Sequence, residues 1–436
     1  MHTRLTLFAV SLIFLVCGQT HAAEASRASS QRVRAASDDR WIVTGTKIYV
    51  SPDAPPIQDG WVLVAGGKIE AVGAPAMRPA GVRVSPDCSN GVVTAGFQNS
   101  HVHLVGAEFT DAARRSGPDI EAALSRMLMR FGFTTVVDTG SDLRETVALR
   151  RRVEGGEIKG PAILTAGIPL YPQNGLPIYL RDLPPALLEQ LAQPATPEEA
   201  VAVVRRNFAL GANGTKLFVV TPQGRGEVKR MSAESARAAA DEGHRLGGLV
   251  MAHPTNPDGV QLAVAAGVDI IVHTTIDPPN SAWSADLIQS MIARHVAVIP
   301  TLKLWRYELD KARVPIDVRE RVVGDAEREL KAFSDAGGQV LFGTDVGYMT
   351  DFDPTDEYAL MARAGLTPMQ ILASLTTAPA ARWHASGHRG RIVAGLDADL
   401  VVLNGDPAED SRDFAAVKCT IRSGREVFIR EGTKGS

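Results

Sequence analysis

Residues 250–273 read VMAHPTNPDGVQLAVAAGVDIIVH: an apolar run ending in His253, a helical stretch, and a second apolar run ending in His273. Near-continuous apolar runs of this kind are what strands of a parallel sheet require, because both of their faces are covered. The same unit recurs along the chain. Candidate strands end at His103, Asp138, Ala166, Phe218, His253, His273, Thr301 and Asp345, and helical patterns follow them, as at 120–131, 197–210, 233–246 and 318–336. Eight such units joined by right-handed crossovers predict an α/β fold, a (β/α)8 TIM barrel, over residues 96–384. The runner-up, a doubly wound open sheet, usually carries a Gly-rich phosphate loop after its first strand, and none is found here.

Outside the barrel the periodicity changes. Residues 41–43, 47–50, 61–64 and 68–72 are short β-rich runs separated by Pro52, Asp59-Gly60 and Gly66-Gly67, and residues 399–403, 417–421 and 427–429 have the same character. Turn residues between short runs signal hairpins. Residues 41–95 and 385–436 are therefore expected to pair into one small composite β domain, a β-sandwich built from both chain ends. Cys88 and Cys419 both fall in it. Two cysteines on neighbouring strands are more often free than bridged, so both states stay open.

The chain opens with one positive charge in residues 1–4, an uninterrupted apolar run at 5–16, and the small-residue pattern Thr20-His21-Ala22. That order is expected of a cleaved signal peptide spanning 1–22, followed by a flexible Ser-, Ala- and Arg-rich leader at 23–40. An apolar run of about a dozen residues falls short of the roughly 20 that span a bilayer. The bulky Val16 ahead of Cys17 disfavours lipidation. Export to a periplasmic or secreted location is the expectation, with no stable membrane insertion. In the 436 residues, 46 basic and 49 acidic side chains give a formal net charge of −3. No basic stripe stands out, so nucleic acid is not expected as a partner.

Chemistry concentrates at the predicted strand ends. In His101-Val102-His103 the alternation of a strand sends both imidazoles to one side. Alone, His-x-His is a weak signal. Lys216, His253, His273 and Asp345 stand at or near the ends of four further strands, and in a parallel barrel all those ends meet at one mouth. Six such groups converging among apolar residues would be costly to desolvate without a shared partner such as a metal ion.

With these residues, the flanking Val93-Thr94-Ala95-Gly96-Phe97 and the stretch from Gly395 to Leu403 (GLDADLVVL), nearly the whole chain resembles the amidohydrolase superfamily, in its imidazolonepropionase-like branch. The resemblance implies two divalent metal ions, zinc above all. His101 and His103 would hold the more buried ion, and His253 and His273 the more exposed one. Lys216 would bridge both as N6-carboxylysine, and Asp345 would ligate the buried ion beside a bridging hydroxide and shuttle the proton. A carbamate suits that place better than an ammonium, which would set a third cation between two. The implied activity is hydrolysis of an amide C–N bond in a dipeptide, N-acyl amino acid or aryl amide, ochratoxin-type amides included. A cyclic amide or lactam hydrolase is an alternative. A mononuclear deaminase is another, but deaminases of the family generally lack the fourth-strand lysine, and Pro254-Thr255-Asn256 follows His253 where they carry a glutamate. A non-catalytic binding protein would be expected to have lost ligands.

Specificity belongs to the loops after the strands. Tyr171, with Gln173, Asn174 and Tyr179, follows the third strand; Lys303, Arg306 and Tyr307 follow the seventh; Tyr348 follows the eighth. Lys303 or Arg306 is a candidate for a substrate carboxylate, a solvated helix start being the competing reading. The prolines and apolar residues of 169–185 suggest a lid or an apolar pocket wall, compatible with a bulky aryl acyl group. His244, His295, His384 and His388 are expected to stay outside the chemistry, and homo-oligomerisation remains open.

Overall fold

The computed structural model describes residues 40–431 other than 182, 184–187, 189–190, 225 and 277–281. The expected signal peptide, Cys17 and the leader up to residue 39 lie outside the described residues, as does part of the expected lid.

Six strands open the described chain: β1 (Trp41–Tyr49), β2 (Ile57–Gln58), β3 (Trp61–Ala65), β4 (Lys68–Gly73), β5 (Arg83–Val84) and β6 (Gly91–Ala95). A single residue, Gly96, separates β6 from β7 (Phe97–Val102). A Cβ there would lie 2.3 Å from Thr134 Oγ1, so only glycine fits this join. Next come β8 (Phe133–Asp138), β9 (Ala162–Thr165), β10 (Gly214–Phe218), β11 (Val220–Gly224), β12 (Glu227–Arg230), β13 (Leu249–His253), β14 (Ile270–Val272) and β15 (Ala297–Ile299). Three strands close the list: β16 (Leu400–Leu403), β17 (Val417–Arg422) and β18 (Arg425–Ile429).

Two parallel arcs, β7-β8-β9 and β10-β13-β14-β15, form the central wall. Parallel bridges join them: Leu170 to Leu217 on one side, Val298 to Val340 and Val102 to Val346 on the other. The last two make residues 340–346 the eighth stave, which is a correction to the expected strand. It is extended chain bridged at its two ends rather than a regular strand. Its hydrogen bonds are divided: Leu341 N donates to Val298 O (2.9 Å) and Ser100 N to Phe342 O (2.7 Å), but Phe342 N donates to Ser374 O (2.9 Å), outside the ring. Gly343 leaves room for Ile299, 2.3 Å from where a Cβ would stand, and Asp345 turns to φ 61°.

Helices surround this wall: α1 (Gly117–Met127), α2 (Leu143–Glu154), α3 (Pro197–Ala209), α4 (Ala233–Arg245), α5 (Pro257–Ala266), α6 (Ala285–Ala293), α7 (Leu302–Lys311), α8 (Ile316–Asp335), α9 (Thr355–Arg363), α10 (Pro368–Leu375) and α11 (Thr377–Arg382). Their starts obey capping chemistry. Asp142, Thr196, Ser232, Asn256, Ser284 and Thr367 each accept a backbone N–H of the first turn of their helix. The expected stretch 120–131 is α1 followed by a 3-10 turn at Met129–Phe131. The hairpin β11–β12, which follows β10 directly, carries no sequence-level expectation.

Strand alternation sorts the core into layers. Met251, Ile270, Val272, Ala297, Ile299 and Leu341 fill one cluster inside the ring, while Val250, Ala252, Ile271 and Val298 belong to the cluster shared with the helices. The chain ends meet in one sheet ordered β18-β17-β16-β6-β1-β3-β4, with β2 and β5 also paired to β1. β16 lies antiparallel to both β6 and β17, so a C-terminal strand sits against the N-terminal strand that leads into the ring. Inside this sheet Cys88 and Cys419 are fully buried and disulfide-bonded, with Cα atoms 5.3 Å apart, so the bridged state is the one realised.

Two measurements follow from this packing. The disulfide closes a separation of 331 residues, so Cys88→Ser with Cys419→Ser is expected to cost about 2–5 kcal/mol in urea unfolding; free thiols in non-reducing mass mapping of the wild type would refute the bridge. Glu329 on α8 is 1% exposed, and its carboxyl binds Thr275 N and Oγ1, each at 2.6 Å. Burial raises its pKa from 4.5 to about 8 against the opposing effect of those hydrogen bonds. The folded state therefore holds a proton that the unfolded chain releases, and the stability this contributes is complete below about pH 4.5 and lost as pH rises towards 8. Wild type is expected to lose stability relative to Glu329→Gln over that range; a pH-independent difference would refute the assignment.

Candidate metal centre

The inward face of the ring ends in polar groups. On β13, Leu249, Met251 and His253 share one side of the strand, so His253 continues the apolar inner series up to the mouth. His101 lies on the inner side of β7, where its neighbour Val102 faces the helices. Lys216 occupies the middle of β10 rather than its end, and Leu217 beside it points outward. His273 stands just past β14 with φ 76°.

The six groups converge. His101 and His103 each place Nε2 near Asp345 Oδ1, at 3.1 and 3.0 Å. Ring centroids lie 5.1 Å apart for His101 and His103, 5.1 Å for His101 and His273, and 4.9 Å for His253 and His273. Ligand atoms of His101, His103 and Asp345 fall within 4.8 Å of one another, close enough to share a cation. Lys216 Nζ is buried and has no hydrogen-bond partner among the described residues; it lies 5.3 Å from the Phe218 ring centre.

The electrostatics follow from dryness. Burial, reinforced by the Lys216 charge, holds His253 at about 3; burial brings His101 to about 3 despite Asp345. Burial, with His253 nearby, also holds His273 well below its ordinary value. These imidazoles are neutral at pH 7 and offer lone pairs. Burial lowers Lys216 from 10.5 to about 7, with Asp345 opposing. Burial would raise Asp345, but His101 and His103 outweigh it and keep the carboxylate ionised. Among the histidines of the centre His103 alone is raised, the effect of burial being outweighed by Asp345. A buried amine with no hydrogen-bond partner among the described residues, beside the neutral imidazoles of His101, His253 and His273 and a carboxylate, fits a centre completed by cations, and a lysine near pKa 7 has the free amine that carboxylation needs.

Each imidazole rests on a group that the strand-end pattern does not single out. Thr139 Oγ1 lies 3.0 Å from His101 Nδ1, and Gly140 O 3.0 Å from His103 Nδ1. Thr255 Oγ1 lies 3.1 Å from His253 Nε2, and Thr301 Oγ1 2.5 Å from His273 Nδ1. The available signal was a threonine within two residues of a strand end. Gly347 braces the first pair, with φ 100° and a virtual Cβ only 1.9 Å from His103 O.

The loops depart from expectation at Lys303 and Arg306. Lys303 is 6% exposed; its ammonium binds Asp351 Oδ2 at 2.7 Å and Asp353 O at 2.6 Å. Arg306 reaches Asp356 (3.3 Å) and Glu320 (3.4 Å). Both cations carry counter-charges within the fold, Lys303 from the loop that holds Asp351 and Arg306 from Asp356 on α9 and Glu320 on α8. The aromatic residues take other places. Tyr171 stacks on Phe218 at 4.6 Å, and Phe218 stacks on His253 at 4.7 Å. Tyr348 packs edge-on to Tyr179 at 5.4 Å and donates its hydroxyl to Glu308 at 3.0 Å, while the Tyr307 hydroxyl lies 3.5 Å from Thr350 Oγ1. Gln173 and Asn174 are exposed.

Comparison with known proteins places this geometry. A Xaa-Pro dipeptidase with methionine in its active site superposes with a TM-score of 0.74 at 20% identity, covering 89% of this chain and 99% of that one. The ochratoxinase of Aspergillus niger superposes with a TM-score of 0.71 at 18% identity, covering 89% and 95%. Its sequence is 23% identical over 247 residues, which are 54% of this chain and 50% of that protein. An uncharacterized protein of Mycobacterium bovis is 30% identical over 194 residues, 41% of this chain and 47% of that one. The chain thus spans about half the length of the curated relatives it matches. These likenesses carry the fold, a barrel with a β-sandwich. The family model for the amidohydrolase family matches residues 92–427, from β6 through β18, and the chain belongs to that family.

Proposed function

We propose that this protein is a metal-dependent hydrolase that cleaves the amide C–N bond of a small substrate, at a centre of two divalent ions, zinc in the first instance. The observation that carries the reading is Lys216: a buried amine with no hydrogen-bond partner among the described residues, lowered to about 7 and set among His101, His253, His273 and Asp345. His101, His103 and Asp345 would hold one ion, His253 and His273 the other, and Lys216 both, as N6-carboxylysine. When bound, such ions polarise a carbonyl and make a hydroxide available near neutral pH.

The chain's own groups account for the rest. Asp345, kept ionised by His101 and His103, is poised to accept the proton of the attacking water and return it to the departing nitrogen. Thr139, Gly140, Thr255 and Thr301 fix the imidazole rings so that little reorganisation accompanies reaction. Tyr171 and Phe218 are buried behind His253 as a stacked apolar backing, while the more exposed pair Tyr179 and Tyr348 offers aromatic surface to a substrate. This supports an aryl amide or an N-acyl or dipeptide substrate with an aromatic side chain. By their names, ochratoxinase acts on ochratoxin and the Xaa-Pro dipeptidase on Xaa-Pro dipeptides. The export expected from residues 1–22 would make this a periplasmic or secreted activity and agrees with a disulfide-bonded fold.

The test is metal content by plasma mass spectrometry alongside amine release from dipeptides, N-acyl amino acids and aryl amides. About two ions per chain and activity lost on chelation are expected. Asp345→Asn should lower turnover by roughly 10²–10⁴-fold. A metal-free, folded wild type, or near-normal turnover in Asp345→Asn, would overturn the proposal.

A further inference from the structure

Thr301 occupies the N-cap position of α7 but does not cap it. Thr196 and Thr367, at the same position of α3 and α10, both spend their side chains on a first-turn N–H. The Thr301 hydroxyl instead lies 2.9 Å from Pro300 O and 2.5 Å from His273 Nδ1. A hydroxyl has one proton. If Pro300 O takes it, Thr301 Oγ1 must accept from His273, which puts the imidazole proton on Nδ1 and leaves the lone pair on Nε2. The backbone is arranged for this contact: Thr301 is fully buried at φ 44°, ψ 50°, a left-handed conformation costly for a β-branched residue.

The cap that Thr301 gives up is supplied from elsewhere. Glu357, on α9 and 1% exposed, accepts Leu302 N at 3.0 Å on one carboxyl oxygen and Lys303 N at 2.7 Å on the other. Both oxygens are occupied by the two amides that directly follow Thr301. The ammonium of Lys303 hydrogen-bonds Asp351 and Asp353 rather than Glu357. It acts on that carboxyl only through its charge, a smaller influence than the burial that raises Glu357 to about 7 or the two backbone amides.

We infer that Glu357 is a positioning residue for His273: by capping α7 in place of Thr301 it holds the left-handed turn that lets the Thr301 hydroxyl fix the His273 tautomer. The inference rests on the proposed metal-bearing reading only for its consequence, that His273 presents Nε2 to an ion. Outer partners of this kind are typically worth about 10–100-fold in metal affinity.

The experiment has one readout without metal and one with it. Ring-nitrogen NMR shifts of isotope-labelled histidine, recorded on the intact metal-free chain and assigned with His273→Asn, report the His273 tautomer; cobalt titration against a competing chelator reports affinity for each ion. Wild type should show the Nδ1–H form. Thr301→Val should lose it and weaken one of two cobalt ions by at least about tenfold, and Thr301→Ser should restore both. Glu357→Ala should move both readouts the same way, with Glu357→Gln, which keeps one acceptor oxygen, between it and wild type; if the alanine variant does not fold, the glutamine variant decides. A Glu357 variant that lowers the melting temperature while tautomer and cobalt affinity stay at wild type would reduce the residue to a helix cap and overturn the inference. So would an unchanged tautomer in Thr301→Val. A wild type that binds no cobalt, yet whose His273 tautomer responds to these variants, would support the inference while the metal-bearing reading fails.

Discussion

Everything at the mouth depends on the two-residue period of a strand locked into a closed parallel ring. Once Met251 packs inside the ring, His253 must follow it to the same side, and Val250 and Ala252 must face the helices. The same rule turns Lys216 inward while Leu217 goes out, and His101 inward while Val102 goes out. No local preference brings a lysine and four histidines together at one largely buried mouth. They are carried there by the burial of their apolar neighbours, which outweighs the cost of stripping water from the polar ones.

That origin explains what could be read from the sequence. Continuous apolar runs ending in His, Lys or Asp are long-range signals written locally, because each run states its own burial. The alternation with helices follows for the same reason. The eighth stave was legible in position but not in form, since whether 340–346 makes a full ladder depends on partners outside the ring, such as Ser374 O, which accepts Phe342 N. The hairpin β11–β12 escaped notice because Thr221, Pro222, Gln223 and Gly224 lack an apolar period.

Partnerships between loops were the least legible. Lys303 looked free because its counter-charge, Asp351, lies 48 residues on and meets it only when the last two mouth loops pack together. The threonines under the imidazoles were hidden for a related reason: a threonine at a strand end is common, and only the meeting of Thr301 with His273 across two adjacent staves gives it meaning. Such contacts also set the geometry more sharply than apolar packing can. An imidazole held only by van der Waals neighbours can rotate, whereas one bonded through its far nitrogen has a fixed direction.

The placement of β16 between β6 and β17 makes the start of the ring depend on the far part of the chain. β6 runs through Gly96 straight into the strand that carries His101, yet of its two neighbours in the sheet only β1 is close in sequence, and β16 lies about 300 residues on. Without β16, β6 is paired along one edge only, with β1, so the seat of the strand that carries the first histidine is completed by residues from the far part of the chain. Cys88 joined to Cys419 ties those two distant segments together covalently.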